Sequence, residues 1–202
     1  YFREDSPLGT AGAVKAARDD GRIDGPCFVF YGDLLMDVSL PTMAAFHQAR
    51  GAAVTLAVHP SNHPHDSDLL TLDDTDRVTA VHPKPHAQGA QLRNVANAAL
   101  YVVSPAALDV LPAAGAPDFG RDALPQLLRS NVAVYGYRTA EYIRDVGTHA
   151  RLKNACEDLR TGLPAARNCD RPRPAVVLDR DGVLNADRED HVLAPEAIEM
   201  LP

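Results

Sequence analysis

The segment Asp179-Arg180-Asp181-Gly182-Val183-Leu184-Asn185 follows a short apolar run, Ala175 to Leu178, and is the most specific local pattern in the 202-residue sequence. Two carboxylates two residues apart at a strand end allow one to attack phosphorus while the other protonates the leaving oxygen. A calcium loop is the competing reading, but the later ligands and bidentate Glu of an EF-hand are out of register. Two further aspartates stand where an apolar run meets a turn. Phe28-Val29-Phe30-Tyr31-Gly32-Asp33 ends in a carboxylate, and Asp145-Val146-Gly147-Thr148 sets another before a glycine and a helix-opening threonine. Ligands of open α/β sheets sit at the carboxyl ends of strands, where carboxylate oxygen suits a hard cation such as Mg2+. Taken singly, Asp33 reads first as a turn or capping residue.

Other segments point to anions. Gly9, Thr10, Ala11 and Gly12 fall just before a helix; glycines let backbone amides approach a ligand, and a helix N-terminus favours negative charge. An ordinary glycine-containing helix start is the alternative. Lys84 lies between Pro83 and Pro85, which fix the backbone and aim the ammonium at a phosphate, unless it is a solvated surface lysine. His59, His63 and His65 with Asp66 and Asp68 resemble a metal cluster superficially. The intervening prolines remove the helical spacing of zinc enzymes, so a polar loop over a sugar-binding mouth is the better reading.

These residues need elements to hold them. Strands are expected over Pro26 to Tyr31, Ala52 to His59 and Val132 to Tyr137, with an apolar run from Asn94 to Val103. A hairpin of Leu69 to Leu72 and Arg77 to His82 is expected around the turn-like Asp73-Asp74-Thr75-Asp76. Helices are expected over Val38 to Arg50, Pro105 to Leu111 (opened by Ser104 and Pro105), Asp122 to Arg129, and Thr148 to Arg160 capped by Thr148. Alternating elements of this kind pack helices on a parallel or mixed sheet. Gly162, Pro164, Pro172 and Pro174 make Thr161 to Pro174 an expected linker.

Hydrophobic residues make up 46% of the chain and charged ones 23%, which suffices for a core and excludes a disordered or fibrous chain. The net charge of −7 and the absence of a basic cluster exclude a nucleic-acid footprint. The longest apolar stretches, such as Gly51 to Val58, fall far short of the roughly 20 residues of a membrane helix, and no signal-peptide pattern opens the chain. No membrane partner is expected. Cys27, Cys156 and Cys169 are odd in number and lack C-x-x-C spacing, which suits a reducing cytoplasm. Tyr1 in place of Met, and Leu201-Pro202 directly after a helix-forming run, read as cuts rather than natural termini.

Together the segments resemble the sugar-1-phosphate nucleotidyltransferases, in the branch fused to a haloacid-dehalogenase-type (HAD-like) phosphatase of the heptose bisphosphate kind. Pro7-Leu8-Gly9-Thr10-Ala11-Gly12 is similar to the family's nucleotide-contacting segment, and Tyr31-Gly32-Asp33 to its metal site. His63-Pro64-His65-Asp66-Ser67-Asp68 resembles a loop of the fused branch. Lys84-Pro85 resembles the end of an E-K-P motif whose lysine holds the sugar phosphate, and Asn97-Ala98-Ala99-Leu100-Tyr101 an N-A-G-[IL]-Y motif whose Asn contacts the sugar. Arg144-Asp145-Val146-Gly147-Thr148 resembles the segment carrying the second metal aspartate. Pro83 stands in place of the family's glutamate and Ala99 in place of its glycine, and the 202 residues contain no G-x-G-T-R loop.

The resemblance implies a Rossmann-like α/β fold with a mixed, mainly parallel sheet lacking its first βα unit, over residues 1–160. A linker at 161–174 and the first strand of a HAD-like domain at 175–202 would follow. It implies transfer of a nucleotidyl group from a nucleoside triphosphate, GTP or another, to a heptose or mannose 1-phosphate. Asp33 and Asp145 would hold Mg2+, Lys84 and Asn97 the sugar phosphate, and Gly9 to Gly12 the nucleotide. Asp179 would be the phosphatase nucleophile and a Mg2+ ligand, with Asp181 as its general acid/base. Two other outcomes stay open: the phosphatase as the main activity, or a non-catalytic sugar-phosphate-binding remnant.

Overall fold

Side-chain alternation along two long strands organises the molecule. The computed structural model describes residues 1–87, 90–111, 115–172 and 177–179. In chain order the elements are α1 (Gly9–Asp19), β1 (Cys27–Phe30), β2 (Leu34–Asp37), α2 (Leu40–Ala49), β3 (Val54–His59), β4 (Leu69–Leu72), β5 (Val78–His82), β6 (Ala96–Val103), α3 (Pro105–Leu108), α4 (Leu124–Arg129), β7 (Val134–Arg138), β8 (Tyr142–Asp145), α5 (His149–Arg160) and α6 (Leu163–Arg167). Val54, Leu56 and Val58 of β3, with Tyr101 and Val103 of β6, face one core together with α1, α3 and α4. Ala57, and Ala98, Leu100 and Val102 of β6, face the other core with Met43 of α2 and Ile143 of β8. The period of two therefore assigns neighbouring residues to opposite layers.

The large sheet runs β5-β4-β6-β3-β7, with β1 also paired to β6, and a separate ribbon joins β2 to β8. The expected Rossmann-like α/β fold with a mixed sheet is present. Its parallel share is smaller than expected, since β3–β7 runs parallel and the other described strand pairs run antiparallel. The reason is local: among the described residues no α-helix separates β3, β4, β5 and β6, so no helical crossover returns the chain in the same direction there. The β4–β5 hairpin turns on Asp73, whose Oδ1 accepts from the Thr75 and Arg77 amides at 2.8 and 3.0 Å.

Several expected spans shift. Ser39 caps α2, accepting from the Thr42 amide, so that helix starts at Leu40. The helix expected over Pro105 to Leu111 covers Pro105–Leu108. The stretch before α4 begins as a wider turn over Phe119–Ala123, capped by Asp118 through the Gly120 and Arg121 amides. Thr148 caps α5 as expected, accepting from the Arg151 amide.

The chain divides into two units, Tyr1–Arg171 and Pro172–Pro202. Part of the expected linker departs from that reading, because α6 packs on α5, β2 and β8 inside the first unit. Glu141, 5% exposed, fastens the turn that follows α6: its Oε1 accepts from the Ser39 and Cys169 amides at 3.0 Å each, and Oε2 from the Thr139 hydroxyl at 3.0 Å. Of the strand expected over Ala175 to Leu178, the first two residues lie outside the described ones. Val177 and Leu178 are not in a strand, and their side chains are in solvent, without the burial that holds an apolar strand.

Candidate functional site

Asp33 and Asp145 are brought together by the β2–β8 ribbon. Leu34 pairs with Asp145, and the Val146 amide donates to the Asp33 carbonyl at 2.8 Å. Both carboxylates border the same empty spot above Gly147. A Cβ added to that glycine would lie 3.1 Å from Asp33 Oδ2 and 3.7 Å from Asp145 Oδ1. The glycine thus leaves room between two carboxylates, an arrangement suited to a cation that takes its remaining ligands from water or substrate phosphates, as Mg2+ does. Among the described residues no group of three or more His, Cys, Asp or Glu side chains gathers to hold a metal. This excludes the histidine-rich loop as a pre-formed centre, and His63 instead shares its Nδ1 with the Ser61 and Ser67 hydroxyls.

Charged side chains continue from that pair toward Lys84. Arg151, in the first turn of α5, donates to Asp145 Oδ1 at 2.7 Å and to Asp66 Oδ2 at 3.3 Å. Lys84 Nζ donates to Asp66 Oδ1 at 3.1 Å, and the Lys84 amide to Asp68 Oδ1 at 3.1 Å. The Lys84 hydrogen bond, then its charge and that of Arg151, hold the Asp66 carboxyl below the usual carboxylate range.

A third group, around Gly120, lies between Lys84 and the α1 segment. A Cβ on Gly120 would meet Asp68 Oδ2 at 3.1 Å, Asn97 Nδ2 at 3.5 Å and Asp118 Oδ1 at 3.5 Å. Asn97 is oriented from both ends of its amide: Nδ2 donates to the Tyr101 hydroxyl at 2.9 Å, and Oδ1 accepts from the Ala99 amide at 3.0 Å. Ala99 has φ +54°, a left-handed conformation that costs an L side chain energy, beside a bulge in the β3–β6 pairing. The glycine of the resembling motif meets a backbone demand here, and this chain meets the same demand with alanine.

The four residues expected to grip a nucleotide have internal duties. Gly9 has φ +71°, and a Cβ there would strike the Ala116 carbonyl carbon and oxygen at 2.5 Å, so the close approach it permits is to the chain's own backbone. The Ala11 amide donates to the Pro117 carbonyl at 2.9 Å, and Ala11 is fully buried. Gly12 also abuts Pro117, its added Cβ 3.3 Å from Cδ. The Thr10 hydroxyl accepts from the Phe119 amide at 2.9 Å and donates to Asp118 Oδ2 at 2.8 Å, which also accepts from the Tyr31 hydroxyl at 3.0 Å. Burial pushes the Asp118 carboxyl up, but bonds from the Arg121 amide, Thr10, Tyr31 and the Gly120 amide outweigh it and hold that group ionised. Burial chiefly pushes the Tyr31 phenol up to about 12, so it remains a donor. Beyond this clamp a cleft of about 480 Å³ opens, lined by Glu4, Asp5, Ser6, Pro7, Gly9, Thr10 and Ala13.

The structure thus brings Asp33, Asp145, Lys84 and Asn97 into one connected polar surface. Asp179 is exposed, and Asp181 lies outside the described residues. Asp118 and Arg151 join the surface through tertiary contacts that no local spacing signals, only the position of Arg151 in the turn opened by Thr148 hinting at it, whereas Asp68 and Tyr31 belong to segments the sequence already singled out and are tied in through the Lys84 amide and Asp118.

The family model described as nucleotidyl transferase matches residues 1–162. A mannose-1-phosphate guanylyltransferase from Mycobacterium tuberculosis is 31% identical over 171 residues, 83% of this chain and 46% of that protein. A glucose-1-phosphate adenylyltransferase from Clostridium acetobutylicum is 28% identical over 161 residues, 75% of this chain and 42% of that one. Among solved structures, HddC from Yersinia pseudotuberculosis complexed with GMP-PN superimposes with a TM-score of 0.60 at 21% identity, over 78% of this chain and 65% of that one. A putative glucose-1-phosphate thymidylyltransferase from Bacillus anthracis gives 0.65 at 15% identity, over 79% and 64%. The chain spans less than half the length of these curated relatives. It belongs to the nucleotidyl transferase family.

Proposed function

From that membership we propose that this chain carries the sugar-phosphate half of a centre that moves a nucleotidyl group from a nucleoside triphosphate to a sugar 1-phosphate of the mannose or heptose type. An oxygen of the sugar phosphate attacks the α-phosphorus, the new P–O bond forms, and pyrophosphate leaves in line. The observation that carries this reading is the convergence of Asp33 and Asp145 over Gly147, on a surface continuous with Lys84. Asp33 and Asp145 fit Mg2+, which when bound offsets phosphate charge and orients the reactants. Lys84 neutralises the sugar phosphate, and Asn97, fixed by Tyr101 and Ala99, presents its amide to the sugar. The cleft beside Gly9 and Thr10 has acidic walls in Glu4 and Asp5, which suit the donor groups of a base or ribose better than phosphates. GTP is the first nucleotide to try, given the guanylyltransferase relatives.

The finer parts of this reading extend to the second unit. Asp179-Arg180-Asp181-Gly182 supports a HAD-like phosphatase of the heptose bisphosphate kind, with Asp179 as nucleophile and Mg2+ ligand and Asp181 as acid/base. The free Cys27, Cys156 and Cys169 suit a reducing cytoplasm. Among the described residues, no helix is long and apolar enough to cross a membrane.

The test is a matrix of GTP or ATP against mannose 1-phosphate or heptose 1-phosphate. It reads pyrophosphate release and Mg2+-dependent thermal shift, with Asp145→Ala as control. Metal-dependent stabilisation by one sugar 1-phosphate, lost in the control, supports the site. Binding equal with and without metal, and equal in the control, refutes it.

A further inference from the structure

Two cations from distant parts of the chain meet on one carboxylate. Lys84 Nζ lies 3.1 Å from Asp66 Oδ1, and Arg151 Nη2 3.3 Å from Asp66 Oδ2, so each carboxylate oxygen faces its own cation. The fold does not require this arrangement. The side chains of Lys84 and Asp66 are 50% exposed and that of Arg151 32%, and such pairs contribute little to stability. Arg151 is not needed to start α5 either, since Thr148 caps that helix through its own hydroxyl. Asp66 ends a short 3₁₀ turn, Pro64–Asp66, whose Asp66 and Ser67 amides donate to the His63 and Pro64 carbonyls without help from the Asp66 carboxylate, while Lys84 Nζ also reaches the Asp66 carbonyl at 3.1 Å. What remains is a pair of converging, partly exposed cations with the Asp66 carboxylate between them, Arg151 also donating to Asp145 at 2.7 Å.

We propose that Arg151 and Lys84 form a phosphate-monoester-binding pair, and that Asp66 is its resident counter-ion, displaced when the phosphate of a sugar 1-phosphate arrives. The sugar part rests on the proposed function; the phosphate part rests on the three side chains alone. A phosphate dianion offers three acceptor oxygens and more charge than a carboxylate, and the planar guanidinium can take two of those oxygens in parallel. It therefore competes well for both cations, while a singly charged anion does not. Asp66 keeps the pair converged in the empty site and sets a threshold against weak anions.

The experiment is calorimetric titration of the 202-residue chain, at fixed ionic strength, with inorganic phosphate and separately with mannose 1-phosphate. Asp66→Asn removes the competitor and tightens phosphate binding about three- to tenfold; Arg151→Gln weakens it about tenfold. Asp74→Asn, which removes the same charge from the exposed hairpin turn, leaves affinity unchanged. If Arg151→Gln unfolds, Arg151→Lys keeps the charge without the fork and weakens binding by a smaller factor. Opposite signs for Asp66 and Arg151 cannot come from a general loss of structure. Unchanged or weaker binding in Asp66→Asn, or equal tightening in Asp74→Asn, overturns the proposal. If the opposite signs appear but no nucleotide and sugar pair releases pyrophosphate, the phosphate pair stands and the transferase reading falls. Pyrophosphate release without the opposite signs removes this proposal alone.

Discussion

Placing a methyl group at Gly147 separates metal binding from folding. Gly147 does not adopt a left-handed backbone, so alanine fits its conformation, and the lower entropy of the unfolded chain contributes roughly 0.4–1 kcal/mol toward stability. Against that stands one crowded contact, 3.1 Å to Asp33 Oδ2, with Asp145 Oδ1 at an ordinary 3.7 Å. Asp33 is exposed and can turn away, so the fold loses little. The proposed Mg2+ cannot adapt so easily, because it needs carboxylate oxygen at about 2.0–2.1 Å and the methyl fills the space between the two carboxylates proposed to hold it. Losing one charged ligand contact costs about 1.5–3 kcal/mol, or roughly 10- to 150-fold in affinity. Manganese titration followed by electron paramagnetic resonance, beside a urea melt, reads both quantities on the same protein. The expected result is a midpoint within error of the parent and manganese affinity down at least about tenfold, matching Asp145→Asn. Manganese binding at parental strength in Gly147→Ala would refute the assignment of the ion to the gap between these carboxylates.

Other consequences follow from single contacts. Ala99→Gly relieves the φ of +54° and raises stability by about 0.5–1 kcal/mol, after allowing for glycine's extra unfolded-state freedom, as a urea melt will show. Thr10→Val strands the Phe119 amide and removes a donor to Asp118, costing about 1–3 kcal/mol; the parallel loss from Asp118→Asn should not add to it fully, since both break one network. Burial raises the Glu141 carboxyl, but the amides of Cys169 and Ser39 and the Thr139 hydroxyl outweigh it and hold it below its ordinary value. Its contribution is therefore complete above the unfolded pKa of about 4.3 and is lost as pH falls through the lower folded value. Glu141→Gln should cost about 1–2 kcal/mol at neutral pH and flatten the acid limb of the stability curve, whereas an unchanged acid limb would place that titration elsewhere.

Much of the frame was legible before any coordinates. Apolar runs marked β1, β3, β6 and β7, aspartate turn chemistry marked the β4–β5 hairpin, and Thr148 marked the start of α5, because each is a property of a few neighbouring residues. Residue type at strand ends also picked out Asp33 and Asp145. What the sequence did not contain was their meeting. That depends on β2 and β8, four residues each with half-buried faces, whose short and uneven patterns carry no clear period. The inward turn of Thr10 and Ala11 likewise came only from the loop at Ala116 to Phe119 closing over α1. Asp66 and Arg151 are 85 positions apart in the chain, and nothing local links their charges until β8 delivers the first turn of α5 beside the 3₁₀ turn. Secondary structure is decided by short-range sterics and hydrogen bonds, and so is written locally; a site made of charges from five segments is decided by strand register, which exists only once the core has packed.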